Sequence, residues 1–459
     1  MKQGRTLMNP EGLLELTCQS ILDLTPEGII LASSKKEVYG CLFGRDAAIT
    51  DLKLLNLCTK RARFPGLPCS KIMDISAKTL MKLISLQGEK INIASGEEPG
   101  KFLHEYRTER FEHLTKKPKN NKKPWLGPWY LYPDNTMRNY DSIDSTPLTL
   151  IAIYRHWQKS QDSKFLFDVL PAVEKGLNWI ITYGDLDKDG LIEYGFGKNR
   201  KYGGLMAQTW MDSDKSLRSK NNTFPKYPIA SVEPQGFAWL ALKLWGDFYA
   251  EQNFVHAESS LTFAQRLISQ AVKIKEEFNK KFIFKDSGFY FAAQALDGNK
   301  NKIKTITGNP LLCLWASYTH PGGRIESVVD DKYIPDFVSR VFLDDMFDPN
   351  AGIRTMSKLS PTFNPNQDSY HNGSFWPVLN GFIYEGLLNW GYTREAGILK
   401  EASLEPIYFF QTPIELYTLG KNGEYLEYIS KDGQHGCRIQ AWTAACILDW
   451  LTTPILEYL

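Results

Sequence analysis

The chain has 459 residues, 43% hydrophobic and 23% charged, which is enough for a large buried core in an ordinary globular protein. Its 54 basic and 52 acidic side chains leave a net charge of +2, so the balance favours neither nucleic acid nor an acidic membrane surface. The seven cysteines are widely spaced with no C-x-x-C pair, which argues against zinc and against a disulfide framework. No apolar run has the length of a signal peptide or a transmembrane helix, so a cytoplasmic location is expected.

Apolar periodicity predicts helices over 45–60, 71–87, 146–158, 167–183, 233–250, 259–280, 332–344, 374–390 and 438–452. Two kinds alternate. Segments such as 237–249 (FAWLALKLWGDFY) and 441–451 (AWTAACILDWL) are apolar nearly all round and must be buried, whereas 259–280 carries one charged face. This alternation predicts an all-α, two-layered helical barrel with an inner and an outer ring. A short hairpin over 282–298 is the one clear β signal. No long linker interrupts the pattern, so residues 1–459 read as a single catalytic domain. Long aromatic loops lie at 115–135 and 195–227, and loops of that length in a compact fold are usually functional or mobile. The lysine run Lys116–Lys123 at the start of the first reads as a solvated tip.

The chemistry begins in the second loop, at Gln208-Thr209-Trp210-Met211-Asp212-Ser213. A carboxyl set beside bulky apolar groups resists ionisation, and one that keeps its proton near neutral pH can act as a general acid. The neighbouring Trp210 offers a flat surface for a sugar ring, and 12 Trp and 22 Tyr lean the composition the same way. Glycoside hydrolysis needs a second carboxyl across the scissile bond. Glu415, a lone acid in Gln411-Thr412-Pro413-Ile414-Glu415-Leu416-Tyr417, is the best candidate; Glu424 and Glu427 compete, and an exposed loop acid or helix cap is the plain alternative. An inverting pair would stand about 6.5–9.5 Å apart, leaving room for a water.

Other residues divide between binding and structure. Arg45 and Asp46, after Gly44, can grip adjacent sugar hydroxyls or form a capping ion pair. Asp144 can be an N-cap for the helix near Pro147, and Glu233 a helix N-terminal charge or a substrate-hydroxyl ligand. Tyr370-His371-Asn372-Gly373-Ser374-Phe375-Trp376-Pro377 places His371 in a glycine turn between aromatic groups, before a buried helix. Asp185-Leu186-Asp187-Lys188-Asp189-Gly190 matches the first half of an EF-hand loop, but Phe196 at position 12 cannot bind calcium, so a plain Asx/Gly turn is expected.

Taken in order, these segments resemble glycogen debranching enzymes in their amylo-α-1,6-glucosidase domain. The resemblance rests on Glu98-Pro99-Gly100-Lys101-Phe102-Leu103-His104-Glu105-Tyr106-Arg107, on Phe43–Asp46, Ile143–Leu148, Gln208–Ser213 and Glu233–Phe237, and on Tyr370–Pro377, Pro413–Leu416 and Gln440-Ala441-Trp442. It spans about residues 40–452. It implies an (α/α)6 barrel, a six-hairpin toroid with long loops at one end, and inverting hydrolysis of an α-glucosidic bond. It assigns the general acid to Asp212 and the general base to Glu415, where the family's P-E-L reads Pro413-Ile414-Glu415-Leu416. Arg45, Asp46, Trp210, Glu233 and His371 would then surround the sugar, with Asp144 in the same pocket; Gln208, Tyr370, Trp376 and Trp442 join them as candidate substrate-binding residues. The expected partner is a carbohydrate, with no metal or organic cofactor. Related small barrels act on α-glucosides or α-mannosides of small acids such as glycerate, which is the alternative substrate; a sugar-binding barrel without turnover is the alternative function.

Overall fold

A computed structural model describes residues 8–453 apart from 61, 117–126, 198, 214 and 252–256. Most of the predicted lysine run, 117–123, therefore lies outside the described residues. Thirteen helices are present among those described. They are α1 (Pro10–Asp23), α2 (Gly44–Leu57), α3 (Cys69–Ser85), α4 (Glu112–Thr115), α5 (Ser145–Ser160), α6 (Ser163–Thr182), α7 (Val232–Glu251), α8 (Ala257–Lys281), α9 (Leu312–Trp315), α10 (Ile334–Val341), α11 (Pro377–Asn389), α12 (Thr393–Phe410) and α13 (Ala441–Thr452).

Six of these form the inner ring. α2 packs on α5, α5 on α7, α7 on α9, α9 on α11, α11 on α13, and α13 closes on α2. The outer ring is α1, α3, α6, α8, α10 and α12, so outer and inner helices alternate along the chain. The result is an (α/α)6 barrel. The sequence dictates which helix goes where. α2, α7, α11 and α13 are buried on nearly every face, as the continuous apolar runs of α7, α11 and α13 require. α3 buries only Ile72, Ile75, Ser76, Thr79, Leu80 and Leu83, one stripe at helical spacing. Lys53 on α2 is one of several charged groups buried in the ring; it pairs with Glu385 and donates to the Gly381 carbonyl at 2.9 Å, which satisfies its buried charge. The fourth inner position is held by a short element, a 3-10 turn at Asn309–Leu311 running into α9. No helix among the described residues is long and apolar enough to cross a membrane.

The predicted hairpin is present as Ile283–Asp286 paired with Phe289–Ala292. It has company that the sequence pattern did not show: several two- and three-residue strands formed where loops meet. Two pairings matter for function. Leu42–Phe43 pairs with Glu105–Arg107, which in turn pairs with Met137–Asn139. Gly44 follows directly, and a Cβ there would lie 2.1 Å from the Leu103 carbonyl oxygen, so only glycine lets α2 start against this sheet. Second, Phe375 and Tyr417 exchange backbone hydrogen bonds of 2.9 and 3.1 Å, tying the loop before α11 to the loop after α12.

Cysteine spacing misled on one point. Cys58, just past α2, and Cys69, the first residue of α3, form a disulfide with Cα atoms 5.1 Å apart. Their separation of 11 residues carries no motif, but the connection between an inner and an outer helix must double back, and this brings the two together.

Candidate active site

The starts of the inner helices converge. Arg45 and Asp46 lie in the first turn of α2, Trp376 immediately precedes α11, and Gln440 and Trp442 flank the start of α13. All five line one cavity of about 220 Å³, which Trp210, Asp212, Tyr370, His371 and Glu415 close from the loops. Helix N-termini carry partial positive charge, so this end of the barrel favours carboxylates. A second compartment of about 600 Å³ lies beside it and shares Tyr39, Asp212, Tyr370 and Glu415 with the first. The two candidate catalytic carboxyls thus face both compartments.

Arg45 organises the acid side. Its guanidinium donates to Asp212 Oδ2 at 3.1 Å and to Asp144 Oδ2 at 3.2 Å, and its Nε stands 3.9 Å from Asp46. Glu415 organises the other side. The Tyr370 hydroxyl donates to its Oε1 at 2.6 Å, and the Cys437 backbone N–H donates to its Oε2 at 2.6 Å. The Tyr370 oxygen lies 3.2 Å from the Tyr39 hydroxyl and, with its own proton on Glu415, accepts from it. A carboxylate has about four lone-pair positions, so Glu415 keeps acceptor capacity for a water.

Aromatic rings build the floor. His371 stacks on Trp376 at 4.8 Å, and Trp210 meets both edge-on, at 5.3 and 5.7 Å. The Trp210 indole donates to Asn309 at 3.2 Å. His371 Nδ1 accepts the Ser213 N–H at 3.3 Å, which leaves the proton of the neutral ring on Nε2. That nitrogen and Trp442 Nε1 are buried donors with no partner among the described residues. Donors left unpaired beside a cavity fit a ligand rich in hydroxyls.

Burial sets the protonation. Asp212 is pushed up to about 6 by desolvation, against the pull of Arg45. Glu415 is pushed up to about 7 by desolvation, against its hydrogen bonds from Tyr370 and Cys437. Asp46 rises to about 7 for the same reason, partly offset by Arg45. His371 is held well below its usual range by burial and then by Arg45, so it stays neutral. The Asp212 side chain retains 22% exposure, and a sugar seated against it would remove that remaining water and strengthen its hold on the proton.

The structure therefore gathers Arg45, Asp46, Trp210, Asp212, Tyr370, His371, Trp376, Glu415 and Trp442 around one cavity. Three expected residues stand elsewhere. Asp144 does precede α5, but its carboxylate makes no capping bond; it takes Arg45 and the Ser142 hydroxyl, so it supports the site from beneath. Glu233 is fully buried in the first turn of α7, beside Thr209 and Asn309, and does not line the cavity. Gln208 does not line the cavity either: its amide turns away and donates to the Gly195 and Leu205 carbonyls, in a segment bent at Thr209 and Trp210. Glu424 is exposed and Glu427 pairs with Arg438 at 2.7 Å, so neither rivals Glu415. Sequence reasoning missed Tyr39, Glu105, Arg107, Trp129 and Gln440 in the cavity wall. For Tyr39 no local signal exists; only the fold brings it to Tyr370.

The EF-hand-like stretch is a self-bonded turn. Gly190 N–H donates to Asp185 at 3.0 Å and Leu191 N–H to Asp189 at 3.0 Å. Asp185, Asp187 and Glu193 are close enough to hold a cation, but the Lys300 ammonium reaches Asp187 and Asp189 at 2.8 Å and also bonds Glu193, supplying positive charge from the chain itself.

Residues 100–449 match the family model described as amylo-alpha-1,6-glucosidase. The chain belongs to this glycoside hydrolase family. No curated protein matches the sequence. Among solved structures, the GH63 mannosylglycerate hydrolase of Thermus thermophilus in complex with Tris is similar, with a TM-score of 0.58 at 13% identity over 95% of this chain and 99% of that one. A metal-independent α-mannosidase of Streptococcus pneumoniae is similar at TM-score 0.55 and 13% identity, over 96% and 92%. At these identities the likeness speaks for the fold, the (α/α)6 barrel, while the family model speaks for glycoside hydrolysis.

Proposed function

We propose that this protein is an inverting glycosidase acting on an α-glucosidic bond, of the 1,6- or 1,4-linked gluco-oligosaccharide or glycogen-branch type. The observation that carries the reading is that the part-buried Asp212 and the fully buried Glu415 line one cavity together with the rings of Trp210, His371 and Trp376. The sugar ring lies in the inner compartment, with the His371 and Trp442 donors and the Asp46 acceptor on its hydroxyls. The leaving group occupies the larger compartment. Asp212 passes its proton to the glycosidic oxygen as the bond to the anomeric carbon breaks. Glu415 takes a proton from a water that attacks that carbon from the opposite face, and the configuration inverts.

A second reading places an α-mannoside or a glycosylglycerate in the same site. It is supported by Lys215, Lys431 and His435 in the wall of the larger compartment, although Lys431 also lies 3.6 Å from Asp368. Lys201 and Arg218 do not line that compartment. The structural neighbours that act on mannosylglycerate and mannosides point the same way. Release of glucose or mannose from a panel of α-linked oligosaccharides and glycosylglycerates tests both readings. Binding without release from any member would support a barrel that holds sugar without turnover and would overturn the enzymatic reading.

A further inference from the structure

A separate cavity of about 210 Å³, nearly the size of the catalytic one, lies between the C-terminal turns of α6, the Glu98–Lys101 turn and the loop from Glu193 to Gly197. None of its lining residues lines the catalytic cavity. Gln208, which the site did not absorb, forms part of its wall, and so do Glu98 and Lys101 of the family-like Glu98–Arg107 segment.

Its polar groups are built in and only partly used. Glu193 is 2% exposed; one carboxylate oxygen bonds Lys300, while Oε2 has no partner among the described residues. Lys101 is 5% exposed, yet its closest carbonyl, that of Gly96, is 3.4 Å away. Glu98 accepts the Trp179 indole N–H at 2.8 Å and stands 3.6 Å from Lys101. The Gln208 amide bonds are long, at 3.4 and 3.3 Å. A polar group held only by long bonds exchanges them at little cost, so the Gln208 amide marks a place for a ligand hydroxyl. Tyr183 and Phe196 supply partly exposed rings to the lining, the Arg200 guanidinium lying over the Phe196 ring.

Charge narrows the ligand. Glu98 faces Lys101, and Glu193 shares the Lys300 ammonium with Asp187 and Asp189, so no cationic charge is left over. An anion would meet the free oxygen of Glu193, and a cation would compete with two ammonium groups. A neutral, hydroxyl-rich ring meets neither obstacle.

We propose that this cavity is a second saccharide-binding site, holding one neutral hexopyranose unit with Glu98 and Gln208 on its hydroxyls and Tyr183 and Phe196 against it. The choice of sugar as ligand rests on the proposed glycosidase function; the cavity itself does not. The wall is shared with the catalytic centre along the chain, since Gln208 is followed by Trp210 and Asp212, and the Gln208 carbonyl accepts the Ile143 N–H at 2.9 Å next to Asp144.

The test is calorimetric titration of full-length Asp212→Asn protein, which cannot turn over, with methyl α-glucopyranoside and methyl α-mannopyranoside. Two sites are expected for at least one probe. Tyr183→Ala and Phe196→Ala, each checked for fold by circular dichroism, should weaken one of them roughly tenfold or more. In the otherwise wild-type protein the same two substitutions should leave turnover of the panel substrate within about twofold. A single site, or two sites untouched by either substitution, overturns the proposal. If the panel substrate is still turned over in that case, only this inference falls; if turnover is also absent, the glycosidase reading falls with it.

Discussion

Removing one oxygen atom tests how the base is tuned. In Tyr370→Phe the ring keeps its contacts with His371, Trp376 and Tyr428, so the fold should hold, but Glu415 Oε1 loses its 2.6 Å hydrogen bond. In the wild type, catalysis needs Asp212 protonated, with its acid constant at about 6, and Glu415 ionised, at about 7. That reverse order makes the reactive form greatest midway, near pH 6.5, at roughly one molecule in twenty. A hydrogen bond to a charged group is worth about 1.5–3 kcal/mol. At about 1.4 kcal/mol per unit, its loss moves Glu415 up by about one to two units. The reactive fraction at the optimum then falls roughly seven- to sixty-fold, and the alkaline limb of the profile moves from about 7 to about 8–9 while the acid limb stays near 6. Initial rates from pH 4.5 to 9.5 on a substrate found in the panel provide the assay. A variant with the wild-type limbs and height would refute the role given to Tyr370, and with it the view that Glu415 is the ionised partner.

Three further outcomes follow from the same structure. Asp212→Asn and Glu415→Gln should each lower kcat by at least about 10²-fold with an unchanged circular dichroism spectrum; turnover near wild type in either would remove that residue from the mechanism. Asp51, fully buried on α2, is raised to about 7 by desolvation, so the folded state holds a proton that the unfolded state releases near pH 4. Its contribution to stability is therefore complete below about pH 4 and disappears as pH rises through about 7, and Asp51→Asn should flatten the decline in Tm between pH 5 and 8; an unchanged slope would contradict this. Thiol titration of the denatured protein should give two more reactive groups after reduction than before, from Cys58 and Cys69; equal counts would mean that the pair is not bonded.

The inner ring was readable from the sequence because a helix with no polar face has nowhere to go but the middle. Segments 237–249 and 441–451 announced this directly, and their observed positions in α7 and α13 follow. Asp212 and Glu415 were readable for a related reason: a single carboxyl among large apolar neighbours is a local anomaly. What was not readable depends on which side chains meet across the barrel. The hydroxyl of Tyr39, in the loop before α2, meets Tyr370, in the loop before α11, only because closure of the ring brings the two loops to one end of the barrel. Gln208 and Trp210 share one motif, and alternation along an extended chain would put them on one side, but the bends at Thr209 and Trp210 send one into each cavity. Asp144 sat where a cap belongs, and the nearby Arg45 guanidinium claimed its carboxylate instead.

The stereochemistry of the product tests the mechanism most directly. An NMR time course of an α-linked panel substrate, recorded faster than mutarotation, should show the β-anomer of the released sugar first, with the α-anomer growing in later. Initial release of the α-anomer would contradict the assignment of Asp212 and Glu415 as the acid and base of an inverting hydrolase.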